Sequence, residues 1–387
     1  MFRRRIVVGL PASLAGSAHE PDVSESMLSS PRILIYCPLP SRMHPRVAAM
    51  GRRSLQWLSR LGLLAGPEAA ERVLQSGAAE WAARIAPDSD EIRLQIVSDW
   101  MHLSCLLDDR RFDPDVLGGT DGSGRLVPWM MRLLEPLDHP EAAVEGDAFV
   151  MAFRDLSVRV RAGAPARIVR RWVEGNMEWF FAAACLSAQR AATAAPSLVE
   201  YMNLGPRGRA MKLVGALIEI AEETYLPDLD REEPKVRALN QVANVLVTMA
   251  NDLFSFDAMA ERRSLDSNIV NVVRHERGLD LPAAFDAAAD LHNRLMYLYL
   301  ALRASVEHGA SRLLLRHLRQ LDHMIAGNLE WTREMSRRCA SPWRPISILD
   351  RTPYPADADA RVGRPAPDIS SIAWWWDQVS SGKLVWR

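Results

Sequence analysis

The feature that most constrains the fold is a helical repeat of hydrophobic residues that runs from residue 45 to residue 338. Apolar positions recur at the spacing that places them on one face of an α-helix. Two segments, VANVLVTMAN and WFFAAACLSAQ, are apolar on nearly every side, and helices of that kind lie in the middle of a large bundle. Strand signals are nearly absent after the short, proline-bounded RILIYCPLP. The sequence therefore predicts an all-α fold.

The amino-acid composition limits the kinds of partner that such a bundle can have. The 387 residues carry a net charge of −1 and are 48% hydrophobic, which provides ample material for a core. The near-neutral charge indicates no nucleic-acid partner, and no apolar run reaches the roughly 18 residues of a membrane span. The four cysteines, at positions 37, 105, 185 and 339, form no CxxC pair. Such scattered cysteines are typical of reduced thiols in a cytoplasmic protein.

The two ends of the chain differ from its middle. Residues 1–30 resemble a leader, because a basic start precedes a short apolar segment that Pro11 interrupts. Residues 346–387 are rich in proline and contain three consecutive tryptophans. We therefore predict a flexible leader over 1–30, one helical domain over 31–345 and an irregular tail over 346–387. Anchoring of the tail on the surface is the favoured role of the tryptophans, and capping of a cavity is the alternative.

An acidic cluster follows one of the buried helices, in the stretch LLDDRRFDPD, and contains Asp108, Asp109 and Asp113. Carboxylates at a helix C-terminus cost a few tenths to about 1 kcal/mol each, because this end carries partial negative charge. One compensation is solvation beside Arg110 and Arg111. The other is a divalent cation, since Asp109 and Asp113 share a helix face and such oxygen ligands suit Mg²⁺.

A second polar cluster interrupts the apolar segment VANVLVTMANDLFSFDAMAE. Asn251 and Ser255 are four residues apart and share a face, and Asp252 lies beside them. A buried polar group without a partner costs about 1–3 kcal/mol, so these side chains need partners. A hydrogen bond between helices and a metal site are the two alternatives.

Both clusters, in this order and separation, resemble the class I terpene synthases (terpene cyclases) of bacteria. The segment SDWMHLSCLLDD is similar to the aspartate-rich helix of that family, including Trp100 before the acids. PSLVEYMNL followed by LIEIAEE resembles its broken pocket helix, and SNIVNVV and GNLEWTREMSRR are similar to later family stretches. The start IYCPLPSRMHP resembles family N-termini. The resemblance covers most of the chain.

The resemblance implies a single helical bundle around a central apolar cavity in which three Mg²⁺ ions and a prenyl diphosphate meet. Ionisation releases diphosphate, and the carbocation then cyclises to a terpene hydrocarbon or alcohol. Farnesyl diphosphate is the favoured substrate, and a homodimer is the usual assembly of such enzymes. The implied catalytic residues are Asp108, Asp109, Asn251 and Ser255, and the implied metal ligands are these four with Asp113 and Glu261. The implied aromatic lining of the cavity is Trp100, Phe181, Phe254 and Trp331.

The sequence departs from the family pattern in the second motif. A glutamate is expected eight positions after Asn251, where Met259 stands. Glu261 lies two residues further, and a π-bulge could rotate it towards the site. The basic residue expected before that glutamate is replaced by Ala258, for which Arg262 is the candidate substitute.

The expected diphosphate contacts are altered as well. The diphosphate-sensing arginine should fall near position 205, where Gly205 and Pro206 stand, and Arg207 or Arg209 could replace it if the helix break is reshaped. The final Arg-Tyr pair of the family appears as Arg337 and Arg338. We therefore assign diphosphate binding to Arg207, Arg262, Arg337 and Arg338.

Two alternatives follow from these departures. One is a relative that binds an isoprenoid without ionising it. The other is a cyclase for geranyl, methylated geranyl or geranylgeranyl diphosphate.

Overall fold

The prediction of an all-α fold is confirmed by the computed structural model. It describes residues 33–108, 122–142, 146–189, 195–256, 267–338, 346–349 and 368–379. Helices make up almost all of this part of the chain, and the remaining regular structure is two short strands. The helices are α1 Val47–Arg60, α2 Pro67–Gln75, α3 Ala78–Ile85, α4 Glu91–Leu107, α5 Gly122–Asp138, α6 Ala148–Gly163, α7 Ala166–Gln189, α8 Leu198–Gly208, α9 Met211–Glu222, α10 Asp228–Glu232, α11 Pro234–Phe254, α12 Ile269–Arg277, α13 Leu281–Glu307, α14 Arg312–Arg338 and α15 Trp374–Asp377. The strands are β1 Ile33–Tyr36 and β2 Ile346–Leu349.

Local sequence fixes where the site-bearing helices begin. Asp90 caps α4, because its Oδ1 accepts from the backbone N–H groups of Ile92 and Arg93 at 2.9 and 3.1 Å. Ser197 and Glu200 form a capping box at the start of α8, which satisfies two otherwise unpaired N–H groups.

The helices pack in a ring, in which α4, α3, α14, α11, α8 and α9 each contact the next and α9 returns to α4. Arg93 at the start of α4 pairs with Glu223, just after α9. These two helices are therefore antiparallel. His317 lies 3.0 Å from Asn240, and further along both helices Asn328 donates to Val247, so α14 runs parallel to α11. The ends of α4, α11 and α14 consequently lie at one end of the ring, with the start of α9. We call this end the mouth.

Two glycines allow helices of the ring to approach their neighbours closely. A Cβ on Gly175 of α7 would lie 2.7 Å from the Cα of Leu213 in α9. A Cβ on Gly327 of α14 would lie 2.6 Å from the carbonyl oxygen of Arg84 in α3. Both contacts involve backbone atoms, so a larger residue would force the helices apart.

Two described parts of the segment 346–387 pack on the helical domain. Strand β2 pairs in parallel with β1, with Ile346 opposite Ile33. Further along, Ile369, Ile372 and Trp375 are buried, and the indole Nε1 of Trp375 donates to Gln241 of α11 at 2.8 Å. The predicted leader lies outside the described residues.

Candidate active site

Asp108 directly follows α4 and therefore stands at the mouth. It is partly buried, and its charge acts on Arg209, which precedes α9. Asp109 and Asp113 lie outside the described residues. Helix α4 thus places at least Asp108, the first acid of the cluster, at the mouth, where α9 begins.

Asn251 and Ser255 reach the same end from α11. Asn251 is buried, with 5% of its surface exposed. Its Oδ1 accepts no hydrogen bond from any described residue. Ser255 follows the last turn, where its backbone N–H donates to the carbonyl of Asn251 at 3.0 Å. A hard oxygen that is buried without a donor is the ligand type that a divalent cation takes, so these residues fit the metal that the sequence implies.

Asp252 organises this end of α11. Its carboxylate is fully buried. It accepts hydrogen bonds from the hydroxyl of Tyr201 at 2.7 Å and from the backbone N–H of Ile269 at 3.0 Å. Its backbone carbonyl accepts from Asn268 at 3.0 Å. Asp252 therefore ties α8 and α12 to the helix that carries Asn251.

Arg209 completes the Asp252 cluster through an ion pair between its guanidinium and the Asp252 carboxylate. About 25% of the arginine side chain remains exposed. Burial alone would lower the pKa of Arg209, but the negative charges of Asp252 and, with a smaller effect, Asp108 raise it. Arg209 thus places a fixed positive charge between the two polar motifs.

The helix break before α9 gives Arg209 this position. Ala210 adopts a left-handed conformation, with φ of 57°, which is uncommon for a residue with a Cβ. The break separates α8 from α9 immediately after Arg209. Strained backbone of this kind is found disproportionately at functional sites.

The other predicted diphosphate residues lie apart from the Asp252 cluster. Arg207 bonds to Asn203, and its Nε lies 3.2 Å from Glu178 of α7. Arg337 and Arg338 occupy the last turn of α14 and are largely exposed, with Arg338 3.0 Å from Glu80. Glu261 and Arg262 lie outside the described residues.

The predicted aromatic residues occupy different environments. Trp100 is buried and packs edge-on against Trp179, with ring centroids 5.6 Å apart. Phe254 is buried, and the buried Trp331 donates to the carbonyl of Gly77 at 2.9 Å. The assignment of Phe181 to the cavity is wrong, because this side chain is 73% exposed on the outer face of α7.

A cavity of about 480 Å³ lies between α8, α9, α11 and α14. Asn244 of α11 lines it and precedes Asn251 by seven residues, or about 10 Å along the helix. The cavity therefore lies about two helical turns below the mouth. None of the four predicted aromatic residues is part of its wall. Its apolar lining is Met202, Pro206, Met211, Ile218, Val245, Leu321, Met324, Ile372, Trp374 and Trp375, and its neutral polar lining includes Asn240, Gln241, Asn244, His317 and Gln320. Its charged lining is Glu178, Arg207, Lys212, Arg231, Glu232 and Arg237.

The described residues contain no group of three or more His, Cys, Asp or Glu side chains arranged to hold a metal. Asn251 and Ser255 would contribute amide and hydroxyl oxygens instead, and Asp109 and Asp113 lie outside the described residues. Among the described helices, none combines the length and the hydropathy needed to cross a membrane.

Comparison with known proteins identifies the family. Residues 99–297 match the model of terpene synthase family 2, C-terminal metal binding. Bonnadiene synthase of Allokutzneria albata is 30% identical, over 89% of this chain and 96% of its own. Spiroviolene synthase of Streptomyces violens is 29% identical, over 90% and 97%.

A similar solved structure agrees with these relatives. SVS_A2, a protein from ancestral sequence reconstruction, superposes with a TM-score of 0.75 at 30% identity, over 89% of this chain and 98% of its own. The matched region is the family's metal-binding domain, and the relatives are synthases, which favours the enzyme over the non-catalytic alternative. The resemblance is thereby confirmed: the chain belongs to the terpene synthase family and is a bacterial-type class I terpene cyclase.

Proposed function

We propose that the protein is a Mg²⁺-dependent cyclase that ionises a prenyl diphosphate at the mouth and folds its hydrocarbon chain into the cavity below. The observation that carries this proposal is the meeting of the two polar motifs. Asp108 and Asn251 come from separate helices to the mouth, and Arg209 carries a positive charge between them.

The oxygen atoms of Asp108, Asn251 and Ser255 are the described candidates for holding divalent cations, of which three are expected. Asp109, Asp113 and Glu261 are the further candidates. When bound, such cations supply positive charge that stabilises the departing diphosphate. The unpartnered Oδ1 of Asn251 supports this assignment, because a buried acceptor without a donor costs about 1–3 kcal/mol unless a ligand satisfies it.

Arg209 is our candidate for the diphosphate contact that position 205 cannot make. It is held by Asp252 before any substrate arrives, so little side-chain entropy is lost when an anion binds. Its exposed quarter leaves N–H groups available at the mouth. Arg337 and Arg338, at the end of α14, remain candidates for a second contact.

The cavity suits the hydrocarbon part of the substrate. Ligand sites of about 300–1,000 Å³ lined mainly by apolar groups are typical for small molecules, and this cavity has about 480 Å³. Its methionine side chains adapt to irregular shapes. The indole of Trp374 already makes a cation–π contact with the guanidinium of Arg237, 5.4 Å from the ring centroid.

The chain length of the prenyl substrate is best determined by testing several prenyl diphosphates. A relative from Streptosporangium roseum, 28% identical, cyclises farnesyl diphosphate, and a relative from a Streptomyces species, also 28% identical, is a diterpene cyclase. Farnesyl diphosphate remains our first choice, followed by geranylgeranyl, geranyl and methylated geranyl diphosphate. We further expect a cytoplasmic homodimer, and the thiols of Cys37 and Cys185, which form no disulfide, agree with a reducing compartment.

The test measures diphosphate release and volatile products from each substrate, with Mg²⁺ and after chelation. We expect Asp108→Ala to reduce diphosphate release at least about 100-fold, in the range reported for loss of one electrostatic contact in catalysis. Asp138→Ala is the matched control, because Asp138 is an exposed carboxylate at the end of another helix, α5. Full activity of Asp108→Ala would refute the metal assignment. Binding of every substrate without diphosphate release would refute the proposed reaction.

A further inference from the structure

A histidine lies at the end of the cavity furthest from the mouth, which we call the floor. One of its ring nitrogens is available to accept a hydrogen bond. His317 of α14 is buried, and its Nε2 lies 3.0 Å from the Oδ1 of Asn240. Because an amide oxygen only accepts, Nε2 must carry the proton and donate it. The lone pair then resides on Nδ1, which makes no hydrogen bond with any described residue.

Two more unpartnered polar groups lie next to this histidine. Gln320, one turn further along α14, is buried and lies close to both His317 and Glu222, without reaching hydrogen-bond geometry to either. Neither atom of its amide makes a hydrogen bond with a described residue, and the same holds for Oε1 of Glu222. Three polar groups from α9 and α14 therefore meet without satisfying one another.

A water molecule fits this arrangement. Each buried polar group without a partner costs about 1–3 kcal/mol, and buried waters typically bond to two to four such groups. The group offers donors and acceptors together, which is what a water molecule requires. The cavity that His317 and Gln320 line gives that water access to any molecule inside it.

The histidine remains neutral there. Burial first, and then the charge of Arg231 nearby, lower the pKa of His317 to about 3. At neutral pH its Nδ1 is therefore an acceptor, and it can align one O–H of a water while the oxygen lone pair points into the cavity.

We propose that His317, Gln320 and Glu222 hold a water at the cavity floor that ends the cyclisation, so that the main product is a terpene alcohol. This inference rests on the proposed function, because it requires a carbocation in the cavity. In the step itself, a lone pair of the water oxygen forms a C–O bond with the cationic carbon. One O–H bond of the resulting oxonium then breaks, and the proton passes to Nδ1 of His317. The imidazolium, which burial disfavours, loses this proton to solvent when the product leaves.

The experiment uses the full chain, the preferred prenyl diphosphate and H₂¹⁸O. Wild-type product is expected to be an alcohol that carries the heavy isotope. Gln320→Met, which keeps the volume of the side chain and removes its amide, should lower the ratio of alcohol to hydrocarbon about tenfold. His317→Leu should do the same, and diphosphate release is measured in each variant alongside the product ratio, so that a loss of ionisation is distinguished from a loss of water capture. His323→Leu is the matched control, because His323 is also buried in α14 with an unpartnered Nδ1 but does not line the cavity.

The outcomes separate the two proposals. Diphosphate release with only hydrocarbon products, with unlabelled alcohol, or with an alcohol fraction unchanged in both variants would overturn this inference and leave the cyclase intact. Absence of diphosphate release would overturn the proposed function itself. A high-resolution crystal structure gives a test that needs no turnover. A water within hydrogen-bond distance of His317 Nδ1 and the Gln320 amide supports the inference, and a dry floor overturns it.

Discussion

Replacement of Arg209 by methionine separates the structural role of this residue from its proposed role in catalysis. The change leaves the buried Asp252 carboxylate with the hydroxyl of Tyr201 and the N–H of Ile269 but without a cation. Breaking a buried ion pair from one side costs about 3–5 kcal/mol. Because two hydrogen bonds remain and Arg209 is partly exposed, we expect the lower value, about 3 kcal/mol.

The assay is thermal or urea unfolding. With about 2 cal/mol/K of unfolding entropy per residue, a chain of 387 residues should lose about 4 °C in Tm for a loss of 3 kcal/mol. Arg207→Met is the matched control for stability, because its pairing with Glu178 is an exposed contact worth about 0–1 kcal/mol.

A double variant completes the design. Arg209→Met combined with Asp252→Asn removes both charges and keeps acceptors for Tyr201 and Ile269, so most of the lost stability should return. Diphosphate release should remain low, because the cation at the mouth is still missing. A cost below about 1 kcal/mol for the single variant would refute the buried ion pair. Wild-type turnover of the double variant would refute a role for Arg209 in diphosphate binding.

Three further variants test the packing of the helices and one buried histidine. Gly175→Ala should destabilise the protein by about 1–3 kcal/mol, because the new Cβ would meet the backbone of Leu213. Gly215→Ala is the control, because a Cβ there meets nothing within 4 Å. We expect it to raise the free energy of unfolding by about 0.5–1 kcal/mol. Equal effects of the two variants in urea unfolding would contradict the close approach of α7 and α9. Burial lowers the pKa of His292 to about 4, so its contribution to stability is complete above pH 6.5 and is lost as the pH falls towards 4. From pH 7 to pH 5 the wild type should therefore lose about 2 kcal/mol relative to His292→Leu, and parallel pH profiles for the two proteins would exclude this.

The proposed meeting of Asp108 and Asn251 follows from the sequence, because both motifs are local patterns that resemble those of the family. The ion pair of Arg209 with Asp252 could not be predicted in this way. It depends on the left-handed turn at Ala210, a conformation that alanine does not signal, and on the packing of α8 against α11. Asp252 did interrupt an apolar helix in the sequence, and its charge was the only signal of a buried partner.

The aromatic assignments show a second limit. Phe180 and Phe181 are consecutive, so they face directions about 100° apart on a helix, and only Phe180 is buried. Composition alone does not reveal which of the two faces inward. The lining of the cavity could not be predicted from the sequence for a related reason. It joins polar residues of α11 and α14 to Trp374 and Trp375, and only the packing of distant segments brings these together.

The contribution of Ile372, Trp374 and Trp375 to the cavity has a consequence for biosynthesis. A ribosome adds these residues after every helix of the ring has been made, so a nascent chain can assemble α4 to α14 while one side of its interior is still open to water. The cavity can therefore reach its final shape only after these residues have been made and have packed against the helices.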